Sequence, residues 1–283
     1  MAKDSTFSGK HQVNYRGKWL DLSTPAVMGI LNLTPDSFHI ESRSESLQKT
    51  IERAGQMLTD GAQIIDLGAQ STRPNSQRID PQEELDRIQN AIEELSKHYP
   101  SAILSIDTYY ASVAKFAIQK GAHLVNDVTS GKLDPEMLPY ILQSKTPYIA
   151  GHFAGEIGKV PTHSLYKDTT DEVFSDLQKL TERFQATEHP SLLVDLGLGF
   201  GKTLEDNYEL LGNLEKFKAL KHPIVIGLSR KSMIWKVLGN HADQALNGTS
   251  ALHAVALLKG ANILRVHDVK EAVEVVKLVS HLK

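Results

Sequence analysis

The chain has 283 residues, 41% hydrophobic and 23% charged, which is enough for one barrel-sized domain or two smaller ones. A formal net charge of -3 argues against nucleic acid binding, and the absence of cysteine excludes disulfides, a thiolate nucleophile and a cysteine metal site. Residues 1–12 lack the apolar core of a signal peptide, and no apolar run could span a bilayer. We therefore expect a cytoplasmic protein that does not associate with membranes.

The N-terminal segment predicts a small hairpin. Residues 11–22 alternate in character around Arg16-Gly17-Lys18, a pattern typical of two short antiparallel strands. The bulky members are Val13, Tyr15, Trp19 and Leu20. We predict an N-terminal extension with this hairpin over residues 1–24 and a main domain over residues 25–283.

The main domain opens with an apolar run at 27–33 that passes into a polar loop ending at Phe38. A helical pattern follows, with Leu47, Ile51, Ala54 and Leu58 on one face. This strand–helix unit recurs seven more times. The later apolar runs lie at 63–68, 102–107, 123–127, 147–152, 191–195, 223–229 and 262–267.

Alternating strands and helices indicate an α/β protein with a parallel sheet. Eight such units close into a (β/α)8 TIM barrel, which leaves no strand edge exposed. The alternative is an open, doubly wound sheet. It is less favoured because eight parallel strands would then leave two exposed edges.

Every predicted strand ends in polar or ionisable side chains. These are Asn32, Asp66, Asp107, Asn126, Asp127, His152, Asp195, Ser229, Arg230, Lys231, Arg265 and His267. In a TIM barrel the carboxyl ends of the strands share one face, where active sites are built. The pattern favours a ligand pocket over an ion-pair network that merely closes the barrel.

The two signs of charge suggest two parts of one ligand. Cationic side chains from the last two strands could hold phosphate together with polar side chains near the first two strands. The phosphate set is Arg230, Lys231, Arg265, His267, Asn32, Thr72 and Arg73. Across the barrel mouth, Asp107, Asn126 and Asp195 can bond a flat heterocycle rich in N–H groups.

The glycine-rich segment 197–203 superficially resembles a nucleotide phosphate loop. That motif requires a glycine where Leu196 stands, and a dinucleotide fingerprint requires one where Lys202 stands. We therefore interpret the segment as the loop after the sixth barrel strand, with glycines that let the backbone approach a ligand closely.

Six motifs in the same order resemble the dihydropteroate synthase family. They are Gly-Ile-Leu-Asn-Leu-Thr-Pro-Asp-Ser-Phe at 29–38, Ser-Thr-Arg-Pro at 71–74, Asn-Asp at 126–127, Gly-Phe-Gly-Lys at 199–202, Ser-Arg-Lys-Ser at 229–232 and Arg-Val-His-Asp at 265–268. The resemblance runs from Val27 to the C-terminus. It implies a barrel enzyme, usually homodimeric, that joins 6-hydroxymethyl-7,8-dihydropterin diphosphate to para-aminobenzoate, is inhibited by sulfonamides and uses Mg²⁺.

The resemblance also implies residue roles. Asn32 would contact diphosphate and the magnesium ion, and Arg265 and His267 would grip the leaving diphosphate with help from Thr72 and Arg73. The pterin would be held by Asp107, Asn126, Asp195 and Lys231. The aminobenzoate would be bordered by Pro74, Phe200 and Ser232. The predicted catalytic set is Asn32, Arg73, Lys231, Arg265 and His267.

Four stretches depart from the family pattern. They are His39-Ile40-Glu41-Ser42, Gln70 in place of a glutamate, Gly151-His152-Phe153 and Asp195-Leu196-Gly197. These changes leave two alternatives open: a pterin-binding paralogue with weak or no synthase activity, and a relative of the methyltetrahydrofolate methyltransferases. The Ser-Arg-Lys-Ser and Ser-Thr-Arg-Pro motifs count against the second alternative.

Overall fold

The computed structural model describes residues 12–15, 18–33, 43–70, 78–156, 159, 161–189 and 191–282. At the N-terminus, β1 (Gln12–Tyr15) pairs antiparallel with β2 (Lys18–Asp21), which confirms the predicted hairpin.

Eight parallel strands then close into a barrel. They are β3 (Ala26–Asn32), β4 (Ile64–Gly68), β5 (Ile103–Asp107), β6 (Leu124–Asp127), β7 (Tyr148–Gly151), β8 (Leu192–Asp195), β9 (Ile224–Ile226) and β10 (Ile263–Val266). Around the barrel their order is β10-β3-β4-β5-β6-β7-β8-β9. The predicted TIM barrel is confirmed and the open-sheet alternative is wrong, because the first and last barrel strands pair from Ile263 with Ala26 to Val266 with Gly29.

Helices surround the barrel. They are α1 (Arg43–Thr59), α2 (Pro81–His98), α3 (Ala111–Lys120), α4 (Met137–Ser144), α5 (Thr169–Ala186), α6 (Leu204–Gly212), α7 (Ser232–Leu238), α8 (Leu246–Lys259) and α9 (Val269–Ser280). Two of them, α7 and α8, lie between β9 and β10. In the described ranges, no helix combines the length and the apolar character that crossing a membrane requires.

Local sequence sets the helix starts. Asp80 caps α2, accepting a hydrogen bond from the Glu83 N–H at 2.9 Å, and Pro81 occupies the first helical position. Thr203 and Asp206 form a reciprocal capping box at α6. These caps fix where the loops at the carboxyl end of the barrel end.

Strand alternation separates the apolar and polar parts of the barrel interior. Every barrel strand contributes at least one apolar side chain to a single buried cluster inside the barrel, and β3 contributes Ala26 as well as Met28. The other strands contribute Ile64, Ile103, Leu124, Ile149, Leu193, Val225 and Ile263. The cluster continues into Val13, Tyr15 and Leu22, so the hairpin closes the amino-terminal end of the barrel. The boundary predicted after residue 24 stays a prediction.

Candidate active site

Six polar side chains share the inward phase of the strands. Asp66, Asn126, Asp195 and Arg265 each follow a residue of the apolar layer by two positions, and Asn32 and Asp107 follow one by four. Because side chains of a strand alternate between faces, all six point into the carboxyl end of the barrel. These positions agree with the prediction that polar side chains converge at the carboxyl end of the barrel.

Arg265 organises the floor of this pocket. Its Nε atom lies 2.6 Å from Oδ2 of Asp66, and Nη2 lies 2.5 Å from Oδ2 of Asp107. The Asn126 side-chain amide donates to the same Asp66 oxygen at 3.1 Å. Charge-assisted bonds therefore tie β4, β5, β6 and β10 together inside the barrel. Asp66 is 0% exposed, so this network lies largely out of solvent.

The network perturbs the proton affinity of its members. Burial, reinforced by the charge of Asp66, raises the pKa of Asp107 to about 7, although Arg265 opposes the shift. Burial alone would lower the pKa of Arg265, but the negative charges of Asp66 and Asp107 outweigh burial and raise that pKa above its usual value. Near neutral pH Asp107 can thus donate or accept a hydrogen bond, which suits recognition of a heterocycle that presents both kinds of group.

A second cation comes from a loop rather than a strand. Lys231 directly precedes α7, and its Nζ atom donates to the Leu198 carbonyl and lies 4.3 Å from the centre of the Phe200 ring. Burial lowers the pKa of Lys231 to about 8, while the charge of Asp195 opposes that shift. Asp195 accepts a hydrogen bond from the Gly197 N–H at 2.7 Å.

The remaining predicted residues flank these groups. His267 contacts the hydroxyl of Ser229 through its backbone N–H at 3.2 Å and through Nδ1 at 3.1 Å. Ser232 begins α7 next to Lys231. A Cβ atom added at Gly68 would lie 3.4 Å from Cβ of Asp107 and 3.8 Å from Oδ1 of Asn32. The exposed Asn32 amide is therefore a neighbour of Asp107.

Several predicted residues cannot be placed. Thr72, Arg73 and Pro74 lie outside the described residues, as does the divergent stretch 39–42.

Arg230 was expected to bind phosphate, and that expectation is wrong. Nε and Nη2 of Arg230 form a bidentate pair with Asp268, both at 2.8 Å, and Nη1 donates to the carbonyls of Ala242 and Asp243. These contacts tie the turn before α8 to the start of α9. The guanidinium is already committed to structural bonds, so Arg230 serves stability.

Asp127 and His152 also turn out to be structural, because each is out of phase with the inward positions. Asp127 accepts bonds from both the N–H and the hydroxyl of Thr129, from the Gly131 N–H and from the hydroxyl of Tyr148. His152 is buried against Lys202, and burial lowers its pKa to about 3. The prediction that all eight strand ends serve one pocket was too broad.

Two of the loop glycines, Gly197 and Gly201, are required by backbone packing. A Cβ atom at Gly197 would collide with the His152 carbonyl, and one at Gly201 with the Ala154 carbonyl. Both glycines have positive φ, 65° and 63°. They let the loop after β8 pack against the backbone leaving β7, and the close approach of these glycines to a ligand stays a prediction.

Sequence reasoning missed a set of contacts around the segment 71–77. Oε1 of Gln70 accepts a bond from the Ile79 N–H at 3.0 Å, while the Tyr110 hydroxyl donates to the Ile79 carbonyl at 2.8 Å. Nε of Arg78 donates to the same hydroxyl at 2.7 Å. Gln70 was noticed only as a departure from the family pattern, and its long-range partner gives no signal in the sequence.

Two buried ionisable groups were missed as well. Lys202 is 2% exposed although it follows three glycines in a polar-looking loop. Glu84 of α2 is fully buried. The sequence did carry one indication of this burial: Glu84 directly precedes Leu85 and lies four residues, or one helical turn, before Ile88 on the apolar face.

Comparison with known proteins agrees with this geometry. The family model described as pterin binding enzyme matches residues 28–267. A dihydropteroate synthase of Haemophilus influenzae is 38% identical over 263 residues, covering 92% of this chain and 95% of the relative. One of Bacillus subtilis is 36% identical over 254 residues, covering 89% and 86%.

Solved structures give the same result. The Xanthomonas albilineans dihydropteroate synthase with 4-aminobenzoic acid superposes with a TM-score of 0.87 at 32% identity, covering 96% of this chain and 98% of the other. The Thermus thermophilus enzyme in complex with 6HMPPP gives 0.82 at 34% identity, covering 96% and 100%. The chain therefore belongs to the pterin-binding enzyme family and, within it, to the dihydropteroate synthases.

Proposed function

We propose that the enzyme condenses 6-hydroxymethyl-7,8-dihydropterin diphosphate with para-aminobenzoate, forming 7,8-dihydropteroate and diphosphate. The observation that carries the proposal is the inward-facing network of Arg265, Asp66, Asp107 and Asn126, with Lys231 beside it. This arrangement offers hydrogen-bond acceptors, donors and fixed positive charge within one enclosed barrel mouth.

The pterin ring would lie among Asp107, Asn126, Asp195 and Lys231. Carboxylates accept bonds from the ring N–H and amino groups, while the ammonium and the amide donate to the carbonyl and the ring nitrogens. The partners already present hold these side chains in place before a ligand arrives, which lowers the cost of ordering them on binding. Asp66 supports this set from below through Asn126 and Arg265.

The diphosphate would lie toward the last barrel strand. Arg265 and His267 face this end, Asn32 approaches from the neighbouring β3, and Thr72 and Arg73 are expected to assist. Departure of diphosphate leaves a cationic methylene on the pterin, and the fixed cations would stabilise the charge that develops on the leaving group. Arg265 is well suited to this task because Asp66 and Asp107 fix its orientation.

The aminobenzoate would then add through its amine. Phe200, Ser232 and Pro74 are proposed to border it, with the Phe200 ring lying next to Lys231. An aromatic amine is already nucleophilic, so the reaction needs no strong general base. Sulfonamides resemble the aminobenzoate in shape and charge, and we expect them to compete at this border.

Magnesium fits one end of the site. Among the described residues no three His, Cys, Asp or Glu side chains gather to hold a metal ion. The exposed Asn32 amide offers one oxygen beside Gly68, where a glycine leaves room. Mg²⁺ commonly takes few protein ligands and completes its shell with water and phosphate oxygens. When bound with Asn32 and the diphosphate, it would neutralise part of the leaving charge.

We also propose a homodimer. Five large apolar side chains that are more than half exposed lie on α7, α8 and α9 and just after the end of α9. They are Val237, Leu238, Leu258, Leu278 and Leu282. Exposed apolar surface of this kind marks association sites. In sedimentation, the wild type should be a dimer and Leu258→Glu a monomer. If both proteins are dimers, these residues do not form the dimer interface.

The function is tested by one assay of purified protein with both substrates, with and without Mg²⁺. We expect dihydropteroate and diphosphate in equal amounts and a strong dependence on Mg²⁺. Pterin binding without product would favour the paralogue that lacks synthase activity. Transfer of a methyl group from methyltetrahydrofolate to a corrinoid acceptor would favour the methyltransferase alternative.

A further inference from the structure

Lys202 is a buried cation with a complete set of acceptors. Its Nζ atom lies 2.9 Å from the Gly197 carbonyl oxygen, 3.1 Å from that of Phe200 and 3.1 Å from that of His152. Nδ1 of His152 lies 3.2 Å from the same Nζ atom. A buried ammonium is tolerated only when its protons are bonded, and three carbonyls match the three N–H donors.

These bonds join two segments of the barrel mouth. Gly197 and Phe200 belong to the loop after β8, and His152 directly follows β7. Nε2 of His152 lies 3.5 Å from Oδ2 of Asp176 on α5, which holds the histidine ring from its other side. Lys202 thus anchors the loop after β8 to the segment that follows β7.

The same loop also touches the active site. Its Leu198 carbonyl accepts the bond from Nζ of Lys231, and its Phe200 ring lies under that ammonium. A Cβ atom at Gly199 would lie 3.0 Å from Cδ of Lys231, so the loop backbone runs directly against this side chain. A shift of the loop would therefore move both Lys231 and Phe200.

Other hydrogen bonds also restrain this loop, and the Gly197 carbonyl accepts one from the Phe200 N–H at 3.1 Å. Gly197 N–H donates to Asp195 and Gly199 N–H donates to Oδ1 of Asn207 at 2.6 Å. Both involve N–H groups, whereas Lys202 is the side chain that bonds the carbonyls of Gly197 and Phe200. Three glycines with positive φ give the loop little stiffness of its own.

We infer that Lys202 is a positioning residue for the condensation: by holding the carbonyls of Gly197 and Phe200 it places the Phe200 ring and Lys231 for aminobenzoate and pterin. The inference rests on the proposed function, since it names what these two side chains bind. Lys202 itself touches no substrate and acts through the loop.

The test compares Lys202→Met with Lys115→Met, a matched change at an exposed lysine of α3. In Lys202→Met we expect the KM for aminobenzoate to rise about tenfold with a smaller fall in kcat, because the wall of that subsite moves. The Kd for the pterin diphosphate should rise by less. Lys115→Met should match the wild type in all three quantities.

A double-mutant cycle shows whether the effect passes through the loop. In a Phe200→Ala background, Lys202→Met should change the KM for aminobenzoate by no more than about twofold, because the side chain it positions is gone. Equal effects in both backgrounds would overturn the inference. So would a Lys202→Met enzyme whose melting temperature falls while KM and Kd stay at wild-type values.

If Lys202→Met does not fold, the same measurements on Lys202→Gln decide, since its amide retains two donors. A wild type that makes no dihydropteroate defeats the proposed function and leaves the pterin Kd as the readout. A weaker pterin Kd in the variant would then still support placement of Lys231, and an unchanged Kd would refute it.

Discussion

Replacing Asp66 by Asn removes the charge at the centre of the barrel mouth while keeping the shape of the side chain. In the wild type one oxygen of Asp66 accepts bonds from both Arg265 and Asn126. The variant leaves Arg265 with Asp107 as its one charged partner in this network. Breaking a buried ion pair typically costs about 3–5 kcal/mol, and the remaining partner places the expected loss near 3 kcal/mol.

A loss of unfolding free energy of that size is measurable by thermal denaturation. We expect the melting temperature to fall by about 6–12 °C, using roughly 2–4 °C per kcal/mol for a chain of this order of length. The matched control is Asp21→Asn, whose carboxylate is exposed and accepts one bond from the Ser23 N–H. Its melting temperature should stay within about 1 °C of the wild type, as surface changes usually do.

The variant should also change the chemistry of the site. The negative charge of Asp66 is one cause of the raised pKa of Asp107, so that pKa should fall below about 7 in Asp66→Asn. Carboxyl NMR of labelled aspartate measures it, and calorimetry should show weaker binding of the pterin diphosphate. A melting temperature and affinity equal to those of Asp21→Asn would refute the view that this network organises the site.

Three further predictions concern single positions. Lys231→Ala should weaken pterin binding by about 1.5–3 kcal/mol, measured by calorimetry, because a charged donor is lost; unchanged affinity would remove it from the site. Arg265→Ala should weaken the pterin diphosphate much more than the pterin alcohol, whereas Arg230→Ala should lower the melting temperature and leave both affinities unchanged; equal losses for both ligands in Arg265→Ala would contradict the assignment. Burial raises the pKa of Glu84 to about 8 from an ordinary 4.5, so the folded state holds a proton that the unfolded state loses, and stability should fall as pH rises between these values. Urea unfolding of Glu84→Gln should show a flatter pH profile than Glu83→Gln, and identical slopes would exclude Glu84 as the source.

Much of the architecture could be predicted because it follows from short-range pattern. Each barrel strand is a brief apolar run with a polar side chain within it or shortly after it, and eight of them close without an edge. The convergence of Asp66, Asp107, Asn126 and Arg265 follows from the same pattern once strand alternation is applied. Alternation would also have excluded Asp127, which is out of phase with Asn126.

The pairing of the site residues could not be predicted in this way. Arg230 follows β9 and Arg265 lies in β10, and both carry guanidinium groups, but one meets Asp268 and the other meets Asp66. Which carboxylate lies nearest depends on packing of elements far apart in sequence. Lys202 shows the same limit, because its acceptors are backbone carbonyls that no residue type reveals.

The most direct test of the site is a crystal structure of the enzyme with the pterin diphosphate bound. The account predicts that the ring lies within hydrogen-bonding distance of Asp107, Asn126, Asp195 and Lys231, with its diphosphate beside Arg265 and His267. A ring bound elsewhere, for instance in the 340 Å³ cavity lined by Lys132, Tyr166 and Asp176, would contradict it.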